Sequence, residues 1–138
     1  MSTSLPSGCE ERVSFFYIND EGTPAGQDGE DVALMVAGGE IDYAVSSRLR
    51  ERIDERIDTG ARHLILDLST VTFLDSTAIG VLVGAVMRLR ELGGGSLSVV
   101  CADENERILG IFEIAGVDSL IALHRSREDA LSSLAGAR

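Results

Sequence analysis

The amino-acid sequence predicts an α/β fold, a mainly parallel mixed sheet of about four to five strands with four helices. Three observations carry this. The chain has 138 residues, the size of one domain that buries roughly two-thirds of its unfolded surface and needs no metal or disulfide staple. From residue 31 onward, short apolar runs alternate with stretches in which apolar residues recur at helical spacing. The connections between them are short, as the right-handed crossover units of a parallel sheet require.

Val13 to Ile18 (VSFFYI) is apolar, aromatic and β-branched, which suits a short strand, and the turn-rich tract NDEGTPAGQDGE after it reads as a long acidic loop over 19–30. Asp31 to Ala37 (DVALMVA) is a second strand, expected to end at Gly38-Gly39. From Tyr43 the period changes: Val45, Leu49, Ile53 and Ile57 recur every four residues among Arg and Glu, and Gly60 closes an amphipathic helix. Leu64 to Leu68 is a buried strand, with Ser69 to Leu74 read as a connecting segment. Asp75-Ser76-Thr77 opens a second helix whose apolar stripe is Ile79, Leu82, Val83, Val86 and Leu89, stopped by Gly93-Gly94-Gly95. Leu97 to Cys101 is a strand, Glu104 to Ala115 a third helix closed by Gly116, and Leu120 to Leu123 a last strand. Ser126, followed by Glu128 and Asp129, reads as the N-cap of a final helix with acids in its first turn, where the macrodipole favours them.

Composition narrows the chemistry. Twenty-three acidic residues against 12 basic ones give a net charge of −11, which argues against direct nucleic-acid binding and against an anionic membrane surface. Residues 1–31 hold seven acids and one Arg, and residues 1–12 read as a flexible polar leader. All basic residues are Arg, so a lysine-dependent phosphate loop and a Schiff base are excluded, and a receiver domain, which needs a late lysine, is disfavoured. Neither a signal peptide nor a membrane-spanning run is present in the sequence, which points to the cytoplasm. Cys9 and Cys101 suggest neither a disulfide nor a metal framework. His63 and His124 each flank a strand and read as polar strand-end residues. There is no G-x-S-x-G, H-E-x-x-H, C-x-x-C or G-x-G-x-x-G. No catalytic residue, metal ligand or cofactor site is therefore assigned.

One tract remains, Asp75-Ser76-Thr77-Ala78-Ile79-Gly80. A hydroxyl in the first turn of a helix, where backbone N–H groups lack intrahelical partners, serves either as a plain N-cap or as the anchor of an added phosphate. Position alone leaves both open.

Three stretches then resemble a known family: Gly39-Glu40-Ile41-Asp42 before a helix, the strand Leu64-Ile65-Leu66-Asp67-Leu68, and Phe73-Leu74-Asp75-Ser76-Thr77-Ala78-Ile79-Gly80-Val81-Leu82. Together they are similar to the anti-sigma-factor antagonists, the single-domain STAS proteins of bacteria, from about Asp31 to Leu134. The later stretch from Glu106 to Val117 is similar to the family's third helix and closing glycine. The resemblance implies a STAS domain over 13–135 and a regulatory protein in place of an enzyme. In that family the antagonist binds a serine kinase that is also the anti-sigma factor, so that a sigma factor is freed. The kinase phosphorylates the serine after the motif aspartate, and a metal-dependent serine phosphatase reverses this. Carried over, Ser76 is the phosphoacceptor, and Asp42, Asp75, Thr77, Ala78 and Ile79 are the partner-binding residues. The family usually has glycine at Ala78, where the methyl group is expected to add bulk beside the acceptor. The loop 19–30 has no family counterpart. Two alternatives accompany this reading: a STAS subunit of a stress-signalling or lipid-transport complex acting without phosphorylation, and a small hydrolase using Ser76.

Overall fold

A computed structural model describes residues 16–22, 32–102 and 105–137, the last three without their side chains. The elements run β1 (Phe16–Asp20), β2 (Val32–Ile41), α1 (Ser46–Asp58), β3 (His63–Leu74), α2 (Ser76–Glu91), β4 (Ser96–Val100), α3 (Glu106–Ala115), β5 (Ala122–His124) and α4 (Arg127–Ala137). The five strands form one sheet in the order β1-β2-β3-β4-β5. β1 is antiparallel to β2 and every later pair is parallel, which is the α/β mixed sheet expected from the sequence.

Each helix is placed by its apolar stripe. α1 buries Leu49, Ile53 and Ile57, α2 buries Ala78, Ile79, Leu82, Ala85, Val86 and Leu89, and α3 buries Ile108 and Phe112. All three pack in one core with Ala33, Met35, Leu64, Leu66 and Val99 of the sheet. Each large side chain fully buried there contributes about 1.5–3 kcal/mol. α4 packs alone in a separate, smaller cluster, where Ala130 and Leu134 meet Val32, Leu34, Ile65 and Val100. These strand residues alternate with those of the main core, so α4 covers the opposite face. Its first turn is capped as expected, with the Asp129 N–H donating to Ser126 Oγ at 3.0 Å. Asp67 of β3 anchors the same turn by accepting from Arg127 Nε at 2.8 Å, and Arg127 also reaches Glu21 at 3.0 Å.

Two expected boundaries are corrected. β2 does not stop at Gly38-Gly39 but continues to Ile41, and Ser69 to Leu74 is not a connection but the second half of β3. The two extensions pair with each other, Gly38 with Thr70 through Ile41 with Leu74. Glycine at position 38 serves close approach: a Cβ there would lie 2.5 Å from Thr70 Oγ1 and from the Tyr17 ring. Tyr17 and Thr70 hydrogen-bond at 2.7 Å. At the start of the chain, Asn19 and Asp20 belong to β1 and not to the loop. The polar leader 1–12, the expected start of the first strand at 13–15 and most of the loop 19–30 lie outside the described residues. The remaining boundaries move by one or two residues, and Gly116, at φ 73°, closes α3 in the left-handed conformation that favours glycine.

Candidate functional site at the carboxyl ends of β2 and β3

The extensions of β2 and β3 decide where the motif residues meet. Ile41 pairs with Leu74 as the last residues of two parallel neighbours. The next residues, Asp42 and Asp75, therefore leave the sheet side by side, and the Asp75 N–H donates to the Ile41 carbonyl at 3.2 Å. These are the carboxyl ends of the strands, the side of an open α/β sheet on which ligands are commonly bound. The G-E-I-D and D-S-T motifs, far apart in sequence, become one surface.

Each aspartate commits one carboxylate oxygen to the backbone. Asp42 Oδ1 accepts from the Ala44 N–H at 3.0 Å, and its carbonyl accepts from Val45 and Ser46, which turns the chain into α1. Asp75 is the N-cap of α2: its backbone is extended (φ −102°, ψ −178°) and Oδ1 accepts from the Ala78 N–H at 3.0 Å. The cap is thus the aspartate and not Ser76. Ser76 and Thr77 are the first two helical residues, both exposed, and neither hydroxyl makes a hydrogen bond among the described residues. The helix N-terminus beneath them carries partial positive charge and unpaired N–H groups.

The two hydroxyls diverge. Ser76 lines a groove toward α3 with Ile79, Ile111, Ile114 and Ala115. Thr77 lines a groove toward α1 with Ser46, Ser47, Arg50, Gly80 and Gly84. Ile79 is mostly buried between them, and Ala78 is fully buried, with 0% of its surface exposed. The Ala78 methyl group therefore belongs to the core and adds no bulk to the surface around Ser76, which corrects the placement expected from sequence. Tyr43, immediately after Asp42, is 76% exposed, and Ile114 is 89% exposed. Sequence reasoning missed Ile111, Ile114, Ala115 and Tyr43. A signal existed for α3, because Ile108, Leu109, Ile111, Phe112 and Ile114 are more apolar residues than one core-facing stripe needs.

His63, Cys101 and Asp67 stand apart from this surface, whereas Arg50 and Asp54 line the Thr77 groove. His63 lies at the opposite end of β3, its Nδ1 2.9 Å from Ser96 Oγ. Burial pushes the Cys101 thiol up. For Asp67, burial favours the neutral acid, but hydrogen bonds from Arg127 and Ser69 outweigh it and hold the carboxyl below its usual range. Among the described residues, no group of three or more His, Cys, Asp or Glu is arranged to hold a metal ion. No helix there is long and apolar enough to cross a membrane.

Fold and site define an α/β domain that presents an aspartate-capped helix N-terminus, with two exposed hydroxyls, at the carboxyl ends of a parallel sheet. Residues 26–130 match the STAS domain model, and the chain belongs to the STAS domain family. The anti-sigma-B factor antagonist of Bacillus subtilis (strain 168) is 31% identical over 102 residues, covering 74% of this chain and 89% of that protein. The anti-sigma F factor antagonist of Paenibacillus polymyxa is 25% identical over 104 residues, covering 75% and 86%. Among solved structures, an anti-sigma factor antagonist from Mycobacterium paratuberculosis superimposes with a TM-score of 0.67 at 25% identity, covering 85% of this chain and 93% of that one.

Proposed function

We propose that this protein is a cytoplasmic anti-sigma-factor antagonist. In its unmodified state it binds an anti-sigma factor that is also a serine kinase, and a sigma factor is released. The kinase transfers the terminal phosphoryl group of ATP to Ser76 Oγ, with loss of the hydroxyl proton and departure of ADP, and a serine phosphatase restores the hydroxyl. The protein itself performs no catalysis in this cycle. Relatives named as anti-sigma-factor antagonists support the role.

The observation that carries the assignment of Ser76 is that Asp75 already caps α2, which leaves the exposed Ser76 hydroxyl without a structural duty. A phosphate there adds about −1.5 to −2 charges. The helix N-terminus stabilises such a charge by about 0.3–1 kcal/mol, so the phosphorylated free protein is not strained. Asp42, Asp75, Thr77 and Ile79 form the partner surface around the acceptor, with Ala78 supporting them from the core side.

Incubation with ATP and a kinase copurified from the native cell tests the reading, with mass spectrometry of the Ser76 peptide as the readout. Phosphate on Ser76 is the expected product. Binding of the same kinase should survive Ser76→Ala and weaken in Ser76→Asp. Phosphate on Thr77 alone would overturn the assignment. Kinase binding without any phosphorylation would favour a STAS subunit that acts unmodified.

A further inference from the structure

The groove beside Ser76 differs chemically from the rest of the surface. It encloses about 300 Å³ between the first turn of α2 and the last turns of α3, and its walls are Ser76, Ile79, Ile111, Ile114 and Ala115. None of these is ionisable, in a chain with 25% charged residues. α3 secures itself to the sheet through Ile108 and Phe112, and Ile114, at 89% exposure, contributes nothing to that core. An isoleucine left in water forgoes the roughly 1.5–3 kcal/mol that its burial supplies.

We propose that Ile114, Ile111 and Ala115 of α3, with Ile79 of α2, receive an apolar side chain of the anti-sigma kinase, and that phosphate on Ser76 expels it by wetting the groove. This rests on Ser76 being the acceptor of that kinase. The occupant follows from the wall that Ser76 itself provides. An active site that reaches Ser76 Oγ must close over the groove that the serine lines. A second copy of this chain seated there would instead cover the acceptor. The occupant is apolar because no wall of the groove carries an ionisable side chain, so a charged group entering it would lose its water and meet only the partial charge of the helix N-terminus. Phosphorylation reverses the preference: closing the groove then requires stripping water from a phosphate of about −1.5 to −2 charges, a cost that the roughly 0.3–1 kcal/mol from the helix N-terminus does not offset. Release by desolvation differs from release by repulsion between exposed charges, which salt screens over about 8–10 Å at 0.10–0.15 M.

The probe is the purified kinase identified by Ser76 labelling, titrated calorimetrically with full-length variants in low and high salt. Ile114→Ala should weaken binding about tenfold and Ile114→Asp about a hundredfold, as for a residue at the centre of an interface. Their melting temperatures should match that of the parent protein, because Ile114 is outside the core. The Ser76-phosphorylated protein should stay unbound in high salt. Unchanged affinity of Ile114→Asp, with Ser76→Asp still released, would overturn the groove while leaving the antagonist reading intact. Recovery of the phosphorylated protein's affinity in high salt would overturn expulsion by desolvation. A free protein that sediments as a dimer and becomes monomeric in Ile114→Asp would reassign the groove to self-association. No affinity of the unmodified parent for the kinase would overturn both readings.

Discussion

Replacing Ala78 with glycine, the residue usual in the family, tests whether the first turn of α2 is built for stability or for contact. The Ala78 side chain is fully buried and packs in the main core with Ile79 and Leu82. Removing its methyl group loses about 0.8 kcal/mol of apolar burial. Glycine in a helix interior costs a further 0.8–1.0 kcal/mol or so relative to alanine, less in the first turn. The sum is about 1–2 kcal/mol, and for a chain of this length the melting temperature should fall by about 4–8 °C. That exceeds the slight loss expected for an alanine at the surface. Calorimetry and urea titration measure it, the latter through a lower midpoint at an unchanged slope. Because the methyl group does not face solvent, the rate of Ser76 phosphorylation should be unchanged. A melting temperature within about 1 °C of the parent would show that the methyl group adds nothing to the core, and a kinase rate that changes sharply while stability does not would show that the partner senses it; either result would refute this reasoning.

Other outcomes follow from the same geometry. Asp75→Ala removes the N-cap and should cost about 1 kcal/mol, whereas Asp75→Asn should keep most of it; a partner that requires the carboxylate will still discriminate against Asn in a binding titration. Gly95→Ala places a Cβ 2.0 Å from the Arg62 carbonyl oxygen, and displacing that backbone should lower stability to urea by about 1–3 kcal/mol. The Asp67 carboxyl is held below its usual range by Arg127 and Ser69 against the opposing effect of burial. Its contribution is therefore present at neutral pH and is lost as pH falls below the ordinary carboxylate value, through the folded one. Arg127 is more than a third exposed, so Arg127→Ala should cost only about 1 kcal/mol at pH 7, with the two stability curves converging in acid. Curves that stay parallel down to pH 2 would mean that the pair does not couple to folding.

The helices and the order of elements were legible because their apolar residues recur at helical spacing, and because α2 and α4 open on local side-chain caps. The second half of β3 was not. Ser69, Thr70 and Thr72 carry hydroxyls that suit turns as well as strands, and their strand state depends on pairing with the extension of β2. That extension was hidden by Gly38-Gly39, where glycine usually marks a stop but here admits the Tyr17 ring. Asp75 and Ser76 were legible as a pair, yet which of them caps the helix required the backbone. The surplus of apolar residues in α3 was visible to pattern, but which of them face solvent was not, since an isoleucine on a helix reads as core until its neighbours are known.

The lone helix on the far face of the sheet has a consequence for how the molecule opens. Detaching α4 breaks the Arg127–Asp67 contact and exposes the few apolar residues around Ala130 and Leu134, while the core beneath α1, α2 and α3 stays closed. Such a unit is suited to sub-global unfolding, so the amides of α4 should exchange with solvent at a lower free energy than those of β3. Protonation of Asp67 removes the anchor and should widen that difference. In acid the molecule should pass through a species whose sheet and first three helices are intact and whose last helix is released, with the surface that carries Ser76 still assembled.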